Sequence, residues 1–328
     1  MNIVAGVAAG LLAALVLPAP SRADAPSLGL PITCELGKTC WVQQYPDVDQ
    51  SAGVMDYACG SESYDGHDGT DIRIRDTTSS AAVIASAAGT VTAVRDGVAD
   101  RLMRGAAGRQ AVRDIECGNG VVIDHGDGWE TQYCHLREGS VAVKVGDHIA
   151  PGAKLGMVGY SGMAAFAHVH LTVRKDAAAV DPFRPSASAE QTCGARDSLW
   201  NATAFTALAY HQGDIIGFGF APGAVELPQL EDGQFTAQEP QASWPALVSY
   251  LWAINLLAGD QVTVTLTGPS GITASNSVTL DHTKAQYLLF AGKKRPPGGW
   301  PSGRYSGHIT IGPPGAPRLR QDWQTTLR

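Results

Sequence analysis

The 328-residue chain has no Cys-x-x-Cys pair and no basic run longer than Lys293-Lys294-Arg295. Past its N-terminus it also lacks any apolar run of the roughly 20 residues needed to span a bilayer. The first absence argues against a cysteine-based zinc site. The second, with a formal net charge of −7, argues against a nucleic-acid partner. The longest internal apolar stretch, Ala246 to Ala258, is interrupted by Ser249 and Asn255, so no internal membrane helix is expected. Charge is sparse at 17% against 44% hydrophobic residues, a balance that describes a globular chain rather than a disordered one.

The N-terminus is different. Ile3 to Leu17 is almost unbroken apolar sequence, and Ser21-Arg22-Ala23 places small residues where a signal peptidase cuts. Residues 1–23 are therefore expected to be a signal peptide, leaving a periplasmic or secreted protein with no membrane span. Its six cysteines, Cys34, Cys40, Cys59, Cys117, Cys134 and Cys193, are an even number in an exported chain, which favours disulfides. Cys34 and Cys40 could close a short loop and are the one pairing proposed. The other four cysteines stay unassigned.

The length suggests two domains. Residues 24–63 show no helical period and read as an irregular N-terminal extension. Residues 64–190 carry short glycine-punctuated strands: Ala82–Ala85, Thr90–Val94, Val121–Asp124, Thr131–Tyr133 and Leu155–Val158. Asp124-His125-Gly126-Asp127-Gly128 reads as a hairpin turn, which makes His125 a turn residue. The Arg-rich stretch from Arg95 to Asp114 reads as a helix, a flap or a solvated loop. Residues 191–328 alternate again, at Asp214–Phe220, Gln261–Thr267, Tyr287–Phe290 and Gly307–Ile311, the pattern of an immunoglobulin-like β-sandwich. The fold class expected is all-β: a catalytic antiparallel sheet domain followed by that accessory sandwich.

Five residues carry the chemistry: His67, Asp71, His135, His168 and His170. Zinc is held by nitrogen, sulfur and carboxylate oxygen, and catalytic sites typically keep three protein ligands and an open position. Two histidines and an aspartate make such a set and leave two histidines for proton work. In Ala167-His168-Val169-His170-Leu171 the histidines alternate with apolar residues, so on a strand both face one way. Alternation does not say which of them binds metal. Gly66 and Gly69 argue against a helix carrying His67 and Asp71, and Asp71 to Arg75 alternates like a strand.

The blocks GHDGTDI, VIASAAGTVTAV, GNGVVIDHGDGWETQYCHL, VKVGDHIAPGAKLGMVGYSG, AHVHLTV and DPFRP run in the order of the lysostaphin-type zinc endopeptidases, which this chain resembles from about Tyr64 to Pro185. The resemblance implies one zinc ion on His67, Asp71 and His170, with His135 and His168 as catalytic partners. It implies a peptidoglycan peptide as substrate. It also admits a non-catalytic activator of other wall hydrolases, or a bacteriolytic or protein-directed endopeptidase. The accessory domain would bind cell wall or a protein partner. The chain departs from the family pattern at Ala167, at Thr172, where a Glu is common, and at Cys134, where a small residue is usual.

Overall fold

The computed structural model describes residues 25–186 and 193–328; the expected signal segment, 1–23, lies outside the described residues. The N-terminal part contains strands β1 (Cys40–Gln44), β2 (Thr70–Ile74), β3 (Ala82–Ile84), β4 (Gly89–Arg95), β5 (Asn119–Gly126), β6 (Trp129–Leu136), β7 (His148–Ile149), β8 (Lys154–Met157), β9 (His168–Lys175) and β10 (Ala178–Val180). They form an antiparallel sheet in the order β1-β2-β9-β6-β5-β4-β7, with β10 on β9, beside a two-stranded ribbon of β3 and β8. Asp127 and Gly128 both have positive φ, 48° and 76°, and join β5 to β6 by the two-residue turn that Asp-Gly favours.

The period-2 pattern sorts this sheet into two unlike faces. Ile72, Ile74, Val121, Ile123, Tyr133, Val169, Leu171 and Val173 pack with Val83, Leu155 and Val158 of the ribbon into one core. Burying each such side chain contributes about 1.5–3 kcal/mol. On the other face lie Asp71, Arg73, His168, His170 and Thr172, which are buried as well. The segment expected as an irregular extension supplies β1, with Trp41 opposite Arg73, and gives Leu28, Ile32, Tyr45 and Tyr57 to the core. The Arg-rich stretch holds a short helix, α1 (Gly105–Ala111), with no buried residue.

Beyond residue 193 come helices α2 (Ala202–Ala207) and α3 (Leu227–Glu231) and strands β11 (Asp214–Ala221), β12 (Ala246–Leu256), β13 (Gln261–Thr267), β14 (Thr273–Thr279), β15 (Lys284–Lys294), β16 (Gly303–Gly312) and β17 (Leu319–Leu327). Two sheets, β11-β12-β15 and β14-β13-β16-β17, enclose Leu251, Ala253, Val262, Val264, Ile309 and Ile311. The fourth strand of this sandwich pairs with the third, whereas in a constant-type immunoglobulin domain it sits on the opposite sheet. Strand β12 is buried on both sides. Its alternate residues Tyr250, Trp252 and Ile254 turn away from the sandwich core and pack with Trp41.

Three disulfides join Cys34 to Cys40, Cys59 to Cys193 and Cys117 to Cys134. The first is the pairing read from sequence.

Candidate metal centre

Glycines shape the loop that brings His67 to the sheet. Gly66 has φ of 75°, and its N–H is held by Asp47 Oδ2 at 3.1 Å. A Cβ on Gly69 would lie 2.5 Å from the His170 ring, so only glycine lets the backbone press against that imidazole. Strand β2 then starts, and its register with β9 sets Asp71 opposite His170 and Arg73 opposite His168. His67 Nε2 consequently lies 3.3 Å from Asp71 Oδ1 and 3.2 Å from His170 Nδ1. His170 Nδ1 and Asp71 Oδ1 are 2.8 Å apart. His67, Asp71 and His170 are 2%, 3% and 9% exposed, so an ion here would be largely shielded from solvent.

These separations test whether the trio fits zinc. Donors about 2.0–2.1 Å from a tetrahedral ion are about 3.3 Å from one another. Two of the three distances match, and the third is within about half an ångström of it. Among the described residues this is the one group of three or more His, Cys, Asp or Glu with ligand atoms mutually within 4.8 Å. The outer ring nitrogens agree. A carbonyl only accepts, so the 2.8 Å contact of His67 Nδ1 with Tyr45 O puts the proton on Nδ1 and leaves the Nε2 lone pair facing the trio. On His170 the outer nitrogen is Nε2, 2.9 Å from Thr172 Oγ1.

His135 reaches the same face through a break in the pairing. Tyr133 pairs with Val121 and Leu136 with Asn119, so Cys134 and His135 together oppose Gly120. This is a β-bulge, the device that re-aims a side chain beside a site. Without it His135 would share the core face of Tyr133. With it, the His135 and His168 rings lie 4.5 Å apart. The bulge needs φ of 62° at His135, a strain of about 1–3 kcal/mol for a non-glycine residue. It is held by His135 N–H donating to Cys117 O at 2.8 Å and by the adjoining Cys117–Cys134 disulfide. His135 Nδ1–H donates to Ser161 O and His168 Nδ1–H to Phe166 O, each at 2.8 Å. Both residues thus keep Nε2 as a free base, and that of His168 lies 3.6 Å from Asp71 Oδ1.

Charge and burial compete across the site. Burial would raise the Asp71 carboxyl, but His67, His168 and the hydrogen bonds of His170 and His67 hold it well below the usual carboxylate range. Burial, with His168 and His170 alongside, pushes His135 well below the ordinary imidazole range. Burial also lowers His168, against the pull of Asp71 and the Phe166 carbonyl. His135 and His168 are therefore neutral near pH 7.

The remaining histidines stand apart from this cluster. His125 bridges Ala88 O and Thr131 Oγ1, His148 contacts Thr90, and His211, His282 and His308 each lie against an aspartate. The motifs did not single out Tyr64, whose ring stacks 4.5 Å from that of His67, Asp68, or Arg73. Arg73 is fully buried beneath Phe166 and Trp252 at 4.9 and 5.1 Å. Its Nη2 donates to both carboxylate oxygens of Glu231 at 3.1 and 3.2 Å, and its Nη1 to Gln43. In the sequence Arg73 is simply a polar position of the alternating run Asp71 to Arg75.

An antiparallel sheet here presents two imidazoles and a carboxylate at a spacing that could hold a metal ion, with two further neutral imidazoles beside them. Residues 65–182 match the family model described as Peptidase family M23, and this segment belongs to that family, the lysostaphin-type peptidases. No curated protein matches the chain. Solved structures similar to it include the SpoIIQ–SpoIIIAH pore-forming complex, at 21% identity over 48% of this chain and 90% of that one, TM-score 0.35. A catalytic-domain mutant of the prophage-encoded M23 protein EnpA from Enterococcus faecalis is similar at 22% identity, over 48% and 94%, TM-score 0.31. The catalytic domain of the antimicrobial peptidase lysostaphin from Staphylococcus simulans is similar at 20%, over 44% and 89%, TM-score 0.28.

Proposed function

We propose that this chain is a zinc-dependent endopeptidase that hydrolyses peptide bonds in peptidoglycan stem peptides or cross-bridges. The observation that carries the reading is the convergence of His67 Nε2, Asp71 Oδ1 and His170 Nδ1 with the paired His135 and His168 rings beside them. His67, Asp71 and His170 would hold the ion. When bound, it supplies Lewis acidity toward a carbonyl oxygen and lowers the pKa of water toward neutrality.

The rest of the work falls to the chain itself. His135 and His168 are neutral imidazoles with Nδ1–H committed to carbonyls, so each Nε2 is free to accept a proton from the attacking water. The imidazolium formed stabilises the oxyanion of the tetrahedral intermediate and then returns the proton to the leaving amine. Because the two rings are adjacent, the roles are assigned to the pair. Residues 64–190 form the peptidase unit in this reading, and the sandwich of residues 191–328 braces its sheet through Trp252 and Glu231. Three disulfides suit a periplasmic or secreted protein, and no helix among the described residues is long and apolar enough to cross a membrane.

The test is mass spectrometry of muropeptides after purified walls are incubated with zinc-loaded protein. New amine termini at stem or cross-bridge peptide bonds are expected. Unchanged muropeptides, with the same preparation cleaving protein substrates, would overturn the wall assignment.

A further inference from the structure

The side of His170 that faces away from Asp71 meets two oxygens. Nε2 lies 2.9 Å from Thr172 Oγ1, and Asp68 Oδ1, which can only accept, stands 3.2 Å from the same nitrogen. The two arrive by different routes. Thr172 lies two residues on along β9, on the same face by strand alternation. Asp68 comes from the loop just after His67, and it is the missing side chain of Gly69 that lets this loop lie against the imidazole.

The two oxygens also do different things. A hydroxyl can donate or accept, so it orients the ring without fixing its tautomer. A carboxylate beside the Nε2–H polarises the imidazole and makes the opposite nitrogen a better donor. Thr172 is buried and supplies orientation alone. The Asp68 side chain is 50% exposed, so its charge sits at the mouth of the site, where water offsets most of its desolvation cost.

We propose that Asp68 is a positioning residue of the metal centre: with the Thr172 hydroxyl, its carboxylate holds His170 in the Nε2–H tautomer and strengthens Nδ1 as a ligand. This rests on the reading of His67, Asp71 and His170 as the ligand set. The division of labour also predicts a rescue. Position 172 already touches Nε2, so a carboxylate placed there replaces the one lost from position 68.

The experiment measures zinc affinity of the full-length protein by competition with a chromophoric chelator at pH 7, together with the melting temperature of the metal-free protein. Asp68→Ala is expected to weaken zinc binding by about 10- to 100-fold while leaving metal-free melting nearly unchanged. Asp68→Ala combined with Thr172→Glu is expected to recover most of the loss. Should Asp68→Ala melt early without metal, Asp68→Asn, which keeps the side-chain shape, carries the same comparison. Wild-type affinity in the Asp68 variants, or a double variant that binds no better than the single one, overturns the proposal. A wild-type protein that takes up no zinc removes the ligand assignment itself, a different failure.

Discussion

The N-terminal sheet and the sandwich solve the problem of a second sheet face in opposite ways. In the sandwich, β13 turns Val262, Val264 and Leu266 inward and leaves Thr263 and Thr265 to hydrogen-bond Ser277 and Ser275 on the outside. In the N-terminal sheet, β9 buries both faces, one apolar and the other bearing His168, His170 and Thr172. Burying ionisable groups is costly unless each finds a partner, and here each does. The imidazoles lean on carbonyls and a hydroxyl, Asp71 on imidazoles, and Arg73 on Glu231 and Gln43. Glu231 and Trp252 come from the C-terminal part of the chain. The polar face of the N-terminal sheet is therefore held partly by the C-terminal part of the chain.

The largest expected effect separates the two jobs within the polar face. His135→Ala or His168→Ala should keep bound zinc and lower turnover by about 10²- to 10⁴-fold, while His67→Ala should lose the ion. Metal content and kcat measured on the same preparations check this. Zinc missing from both the His135 and His168 variants would mean that ligands and bases have been exchanged.

Next comes the junction. Trp252 is 1% exposed and covers the Arg73 guanidinium, so Trp252→Ala should cost about 3–5 kcal/mol in urea unfolding. A loss below about 1 kcal/mol would show the sandwich to be an independent appendage, and the contrast between braced and bracing regions would fail.

How far the sequence foretold this arrangement follows the same contrast. Strand β13 was bounded to the residue at Gln261–Thr267, because one face meets water and the alternation is clean. Strand β12 was not read as a strand at all. Buried on both faces, it presents an almost continuous apolar run, which has no period to detect. Strand β1 is only five residues long, too short for its alternation to stand out from the segment around it. The side on which His168 and His170 lie was readable from β9 alone. That His135 joins them follows in the sequence only from the family resemblance, since two-residue alternation points it into the core and only the bulge turns it round. Trp300 is buried and donates to Trp244 O at 2.8 Å. The partners of Cys59 and Cys193 lie 134 residues apart, a pairing that tertiary structure alone decides.

A further expected effect lies where the N-terminal segment meets the sandwich, and it depends on pH. Glu62 is 3% exposed. Its Oε2 accepts from Asn255 Nδ2 of β12 at 3.1 Å, and its Oε1, buried without a hydrogen-bond partner, borders a cavity of about 40 Å³ shared with His211 and Asp214. Burial, with Asp56 and Asp214 nearby, pushes this carboxyl up to about 9, against hydrogen bonds from Gly213 and Asn255. An acid whose folded pKa is raised binds its proton more tightly in the native state. Its contribution is fully present below the unfolded value of 4.5 and is lost as pH rises toward about 9. Glu62→Gln removes that dependence: the variant should match wild type in chemical denaturation at pH 4.5 and exceed it at pH 8. Parallel stability curves across that window would mean that Glu62 is ionised in the folded protein. The junction would then have to be stabilised by a counter-charge or water at Oε1 rather than by a neutral acid.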